Sequence, residues 1–167
     1  MKLELLKKKF KGKKILITGN TGFVGSWLTI LLNLLGAKIL GYSLKKKDTR
    51  FLSNTRQFKK KIKIIYSDIN NFDKNLNKIK KFKPQIVIHL ASQPLVIDSY
   101  TNTKKTYFTN VMGTVNFFET IKKIKGISKV IVFTSDKVYR NLEGKILNEE
   151  SNLGGIDPYS ASKSCQD

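Results

Sequence analysis

Lys14-Ile15-Leu16-Ile17-Thr18-Gly19-Asn20-Thr21-Gly22-Phe23-Val24-Gly25 is a short apolar run that breaks into three evenly spaced glycines and then continues in a helical pattern. It reads as strand, turn and helix. Gly19 lets the chain turn sharply off the strand, Gly22 lets the backbone approach a pyrophosphate closely, and Gly25 lets the helix pack against the sheet. A helix starting there aims its N–H groups and the positive end of its dipole at phosphates. The G-x-x-G-x-x-G spacing differs from the commoner G-x-G-x-x-G, so the context has to carry the reading. Ile15 to Ile17 suit a buried strand, while Trp27, Leu28, Ile30, Leu31, Leu34 and Leu35 make an apolar helical face that Gly36 ends.

Outward from this stretch the pattern repeats. Lys38 to Leu44 reads as a second strand, which completes a βαβ unit. An acidic residue that would hold an adenosine ribose is missing at its end; Lys45, Lys46 and Lys47 stand there and Asp48 comes later, which leaves NAD and NADP both open. Asp48 to Lys61 is a long polar connection. Lys61 to Tyr66 is a third strand, with Asp68 at its carboxyl end where open α/β sheets meet ligands. Asn70 or Asn71 caps a helix that runs to about Lys81 and is stopped by Pro84. Gln85 to Leu90 is a buried fourth strand, and its His89 reads as a hydrogen-bonded structural residue rather than a catalyst. Ala91-Ser92-Gln93-Pro94 then lets a ligand lie against the backbone. Thr103 to Ile124 is a long helix with Tyr107, Val111, Val115 and Phe118 spaced for core contact and Asn110 at a neighbouring angle. Ser128 to Thr134 is a fifth strand. Strands alternating with helices predict an α/β fold with a doubly wound parallel sheet.

Composition narrows the function classes. The net charge is +20, from 32 basic and 12 acidic residues, which suggests nucleic acid. Only Arg50, Arg56 and Arg140 are arginine, however, and specific base and phosphate recognition leans on arginine's planar fork. Lysines spread over nearly every element fit codon drift, so no specific nucleic-acid partner is expected; the positive field would still attract an anionic nucleotide. No stretch approaches the roughly 18 apolar residues of a membrane span, and the lysine-rich amino terminus is no secretory signal. A cytoplasmic protein without membrane attachment is expected. One cysteine, Cys165, and one histidine make neither a disulfide nor a metal site.

The chemistry-bearing residues follow the fifth strand. Thr134-Ser135-Asp136-Lys137 ends it, and Asp157-Pro158-Tyr159-Ser160-Ala161-Ser162-Lys163 opens a helix with a capping Asp and a Pro in the first turn. Tyr159 and Lys163 are four apart and share a helical face. An ammonium one turn from a phenol lowers the phenol's pKa, which suits Tyr159 to act as a general base. Ser135 can hydrogen-bond the same substrate oxygen.

Taken in this order, the residues from Lys13 to Lys163 resemble the extended short-chain dehydrogenase/reductase family, and within it the nucleotide-sugar 4,6-dehydratases acting on CDP-glucose. The matching segments are Thr18-Gly19-x-Thr21-Gly22-Phe23-x-Gly25-Ser26-Trp27-Leu28, Gly41-Tyr42-x-Leu44, Asp68-Ile69 and Phe82-Lys83-Pro84. Further on come His89-Leu90-Ala91-x-Gln93-Pro94-Leu95-Val96, Thr109-Asn110-Val111-Met112-Gly113-Thr114, Ser135-Asp136-Lys137 and Tyr159-Ser160-x-Ser162-Lys163. Enzymes acting on dTDP-glucose usually carry Thr-Asp-Glu where this chain has Ser135-Asp136-Lys137, and simple 4-epimerases lack both dehydration residues.

The resemblance implies a Rossmann-like domain over residues 1–167 that binds NAD, truncated before the C-terminal substrate region. It implies that Gly19, Thr21, Gly22, Phe23, Val24, Gly25, Asp68, Ile69, Leu90, Ala91, Gln93, Tyr159 and Lys163 contact the cofactor. The implied catalytic set is Ser135, Asp136, Lys137, Tyr159 and Lys163. Tyr159, assisted by Ser135, would take the C4 hydroxyl proton while hydride passes to NAD; Lys137 would remove the C5 proton and Asp136 protonate the departing C6 hydroxyl, with hydride returning to C6. CDP-glucose would become CDP-4-keto-6-deoxyglucose, in deoxysugar and O-antigen synthesis, and the complete enzyme would be a homo-oligomer. Alternatives are an epimerase or reductase of the same family, or a nucleotide-binding fragment without turnover.

Overall fold

The computed structural model describes residues 3–45, 62–140 and 146–167. Five parallel strands form one sheet: β1 (Lys14–Thr18), β2 (Lys38–Ser43), β3 (Lys63–Tyr66), β4 (Ile86–His89) and β5 (Lys129–Val132). Their order is β3-β2-β1-β4-β5, so the chain winds away from β1 in one direction and then in the other. This is the doubly wound, Rossmann-like α/β architecture the alternation predicts. Its topological switch point lies between β1 and β4, where ligands bind in such sheets.

Helices cover both faces: α1 (Leu3–Phe10) and α2 (Phe23–Leu34) near the first βαβ unit, α3 (Leu76–Phe82), α4 (Val96–Thr101), α5 (Thr103–Tyr107), α6 (Gly113–Ile121) and α7 (Pro158–Ser164). A period of two sorts the central strands. Ile15, Ile17, Ile39 and Ile88 face one core with Leu32 of α2 and Leu35 just past its end. Leu16, Tyr42 and Val87 face the other, with Phe72, Ile79 and Phe117. The amino-terminal lysine-rich stretch, for which no element is predicted, is α1; its Leu6 and Phe10 pack on the α2 side while its lysines stay outside.

Three expectations change. The segment after Asp68 is two 3-10 turns (Ile69–Asn71 and Asp73–Asn75) before α3, and its first cap is Asp68 itself, whose carboxylate accepts from Asn70 N at 2.9 Å. The helix predicted over Thr103–Ile124 is interrupted by a π-helical turn, Phe108–Met112, and ends at Ile121. Its inward face is also different. Thr106, Asn110, Thr114, Phe117 and Ile121 are buried, whereas Tyr107, Val115 and Phe118 are exposed. On α2 likewise Trp27, Leu31 and Leu34 lie outside, while Gly25, Ser26, Thr29 and Leu32 lie inside. The polar connection from Asp48 to Lys61, with Lys46 and Lys47, falls outside the described residues.

Candidate active site

The glycine turn is built by close backbone contact. Gly19 has φ +70°, and a Cβ there would meet Leu90 C at 2.7 Å, so the loops after β1 and β4 touch. A Cβ on Gly25 would lie 2.2 Å from Gly19 O and 2.9 Å from Asn20 Cα. Gly25 therefore lets α2 close onto the turn itself rather than onto the sheet. At Gly22 the only neighbour of a Cβ would be Gly19 O, at 3.3 Å. Its outer side is open. No side chain caps α2, whose N-cap is Gly22, so the helix presents backbone donors and dipole to the mouth between β1 and β4. Thr21 N donates to Ser43 Oγ at 3.2 Å, and Ser43 Oγ to Asn20 Oδ1 at 3.0 Å, which ties the turn to the end of β2. Phe23 and Val24 are exposed at the start of α2. This cradle fits the pyrophosphate of a dinucleotide: an open glycine, a helix amino terminus and a close backbone.

Asp68 and Ile69 leave β3 at the same edge. Tyr42 Oη donates to Asp68 O at 2.7 Å, and burial pushes the Tyr42 phenol up. The Ile69 side chain is buried against α6, where a Cβ on Gly113 would meet it at 2.5 Å. Ile69 thus has main chain, not side chain, to offer a ligand. Leu90 N and Ala91 N donate to Thr18 Oγ1, each at 3.2 Å. The backbone of Gln93 is clamped by Asn110, whose Oδ1 accepts from Gln93 N at 2.7 Å and whose Nδ2 donates to Gln93 O at 3.2 Å. Among the cofactor-contact residues the resemblance implies, Gly19 and Gly25 serve the turn's own shape, and Gly22 is the open one.

Helix α7 starts as its sequence predicts. The Asp157 carboxylate accepts from Ser160 N at 2.9 Å and from Ser160 Oγ at 2.5 Å. Burial pushes this carboxyl up, but the Ser160 hydrogen bonds and the charge of Lys137 outweigh it and hold it below the usual range. Three further contacts fix the helix: Tyr159 N donates to Ser99 Oγ of α4 at 3.1 Å, Asn110 Nδ2 to Ser162 Oγ at 2.9 Å, and Ser164 Oγ to Val138 O at 2.8 Å. Tyr159 and Lys163 are both buried. Lys163 Nζ donates to Phe133 O at 3.1 Å, just past β5, and burial lowers its pKa to about 8.

Ser135, Asp136 and Lys137 form the turn beside this helix. Ser135 Oγ accepts from Lys137 N at 3.0 Å and caps a 3-10 turn, Asp136–Val138, while Asp136 and Lys137 are exposed. The chain thus gathers the glycine turn, the β4 loop, the 135–137 turn and the Tyr159–Lys163 helix at the carboxyl edge of one sheet. His89 sits beneath them. Its Nδ1 lies 2.7 Å from Thr18 Oγ1 and its Nε2 3.1 Å from Thr114 Oγ1, and burial with the nearby Lys163 charge lowers its pKa to about 3. It is the structural, hydrogen-bonded histidine the sequence predicts. Asn110, Ser99 and Thr114 were not singled out as site residues; the signal for them is polar residues at helical spacing on a face that has to be buried.

Comparison with known proteins places this geometry. The family model described as GDP-mannose 4,6 dehydratase matches residues 16–167. The CDP-glucose 4,6-dehydratase of Salmonella typhimurium is 43% identical over 157 residues, covering 93% of this chain and 44% of that protein. An epimerase from Methanothermobacter thermautotrophicus superposes with a TM-score of 0.83 at 26% identity, covering 98% of this chain and 48% of that one. The dTDP-glucose 4,6-dehydratase of Bacillus anthracis, solved in complex with NAD, gives a TM-score of 0.75 at 27% identity over 93% of this chain and 48% of its own. The chain therefore spans about half the length of the relatives it matches.

Proposed function

Because the chain belongs to the GDP-mannose 4,6 dehydratase family, we propose that it is the NAD-binding, redox-carrying part of a nucleotide-sugar 4,6-dehydratase whose substrate is CDP-glucose. One observation carries the reading. The buried Lys163 is anchored at the carboxyl end of β5, one helical turn from Tyr159 and beside the Ser135-Asp136-Lys137 turn, and the open glycine cradle lies at the same sheet edge.

The residues support a division of labour. Backbone donors at the start of α2 and the open side of Gly22 would hold the dinucleotide, with Asp68 and the Leu90–Gln93 loop flanking it. Bound there, NAD supplies a temporary oxidation of the sugar at C4. Tyr159 takes the C4 hydroxyl proton, with Lys163 one helical turn away and Ser135 holding the same oxygen. The ketone at C4 acidifies the C5 proton; Lys137 removes it, and Asp136 protonates the C6 hydroxyl, which leaves as water. Lys137 in the trio, together with the 43% identity to the Salmonella typhimurium enzyme, supports CDP-glucose over dTDP-glucose. The apolar outer faces of α2 and of the α5–α6 helix suit a homo-oligomer in the complete enzyme.

Exposure of Asp136 and Lys137 and the likeness to an epimerase favour a second reading, C4 inversion without dehydration. The two separate in one experiment. The chain is combined with the carboxyl-terminal half of the Salmonella typhimurium relative, given CDP-glucose and NAD, and the product examined by mass spectrometry and NMR. Loss of one water with a ketone at C4 is expected. Inversion at C4 with no water lost would move the chain to the epimerase reading.

A further inference from the structure

Gln166 follows Lys163 by three residues and is buried just past the end of α7. Its Oε1 accepts from Lys163 Nζ at 2.6 Å and its Nε2 donates to Thr114 Oγ1 at 2.7 Å. We propose that Gln166 is a positioning residue for Lys163, its amide bridging the ammonium to Thr114 and, through Thr114, to His89 and the turn at Gly19. The contact stands on geometry alone; its service to catalysis rests on the reading of Tyr159 and Lys163 proposed above.

Donor and acceptor accounting fixes the direction of every bond. The Lys163 ammonium can only donate, so Gln166 must turn its oxygen to it and its nitrogen to Thr114. Thr114 spends its one hydroxyl proton on Asn110 O, at 2.6 Å, and so accepts from both Gln166 and His89. His89 therefore carries its proton on Nε2 and accepts from Thr18 at Nδ1. Thr18 Oγ1 in turn accepts from the backbone N–H groups of Leu90 and Ala91. Bonds from Gln166 and from His89 both run into Thr114. A path whose bonds converge cannot pass a proton along its length, so the chain of contacts holds Lys163 in place and does not drain it. His89 is the titratable group that feels the Lys163 charge, and among the described residues no carboxylate lies within ion-pair distance of the Lys163 Nζ.

The test is the titration of Lys163 in the 167-residue chain, read from the side-chain NMR signals of isotopically labelled lysine and assigned with Lys163→Arg. An oxygen acceptor favours the charged ammonium, so Gln166→Ala should lower the Lys163 midpoint by roughly half a pH unit or more. Gln166→Glu keeps the acceptor and adds charge, so it should raise the midpoint by a similar or larger amount. A change confined to general packing would not move the two variants in opposite directions. If Gln166→Ala fails to fold, the near-isosteric Gln166→Glu decides alone. A midpoint unchanged in Gln166→Glu, or a shift of the same sign in both, overturns the proposal. Failure of the unaltered chain, combined with the carboxyl-terminal half of the Salmonella typhimurium relative, to bind NAD would count against the proposed function and leave this contact standing.

Discussion

Three glycines in one turn do three different jobs, and substitutions should separate them. A Cβ on Gly25 would press on the backbone of Gly19 and Asn20, which cannot swing aside as a side chain would. Gly25→Ala should therefore lose about 1–3 kcal/mol of stability in urea unfolding. Gly22→Ala meets only Gly19 O, at 3.3 Å, and its φ of −73° suits alanine. It should cost no more than about 1 kcal/mol of stability yet weaken NAD binding at least about tenfold when the chain is combined with the carboxyl-terminal half of the Salmonella typhimurium relative, because the added methyl stands on the ligand's side. Equal losses of stability in the two variants would remove Gly22 from the cradle. His89 gives a second residue-scale expectation. Its folded pKa, about 3, lies below its ordinary 6.5, so the unfolded chain takes up a proton that the folded chain refuses. Stability from this group is complete above pH 6.5 and falls as the pH drops toward 3, at about 1.4 kcal/mol per pH unit. As the one histidine in the chain, it should dominate the slope between about pH 5 and pH 6.5. Urea unfolding across that range should lose about 2 kcal/mol, and a flat profile would contradict the burial of His89.

Asn110, in the π-helical turn, is the joint between elements. It grips the backbone of Gln93 after β4 on one side and Ser162 of α7 on the other. Asn110→Ala should leave these groups buried and unpaired and cost about 2–4 kcal/mol, whereas Asn116→Ala, which loses weaker contacts nearer the surface, should cost about 1 kcal/mol or less. Thermal unfolding of the pair checks this. The strands were legible because a parallel sheet buries both faces: Ile15 to Ile17 and Ile86 to Ile88 are near-continuous apolar runs with no competing period. The start of α7 was legible because Asp157-Pro158 offers few alternatives to a capped first turn. The rotation of the helices was not. On α2 and across Phe108–Ile121 several large apolar residues, Trp27, Leu31, Leu34, Val115 and Phe118, point outward, while Thr29, Asn110 and Thr114 point in beside Leu32, Phe117 and Ile121. Periodicity finds an apolar stripe but cannot say which layer covers it, and here the inward side mixes core residues such as Phe117 with small and hydrogen-bonding residues that lock the site. Gln166 was illegible for a related reason: its partner Thr114 is 52 residues away, and only the fold brings them together.

At the scale of the molecule, the same inversion leaves surface without a partner. Val130 and Ile131 of β5 are 41% and 44% exposed, and Trp27 and Leu34 of α2 are each 61% exposed. Among the described residues β5 stands at the edge of the sheet, with β4 on one side only. An apolar edge strand and, elsewhere on the surface, an apolar helix face both promote association with other chains. The edge position also leaves the end of β5, where Lys163 donates to Phe133 O, supported from one side among the described residues. Since the relatives are about twice as long, we expect the 167-residue chain alone to bind NAD weakly if at all and to bind a hydrophobic dye strongly. Adding the carboxyl-terminal half of the Salmonella typhimurium relative as a separate polypeptide should quench the dye and bring NAD affinity up by at least about 100-fold, because each kilocalorie of support for the folded cradle is read directly as binding. Calorimetry with NAD, before and after mixing, makes the comparison. A sub-micromolar site in the chain alone would mean that these 167 residues already complete the cradle, and the exposed edge would then need an occupant unrelated to the cofactor.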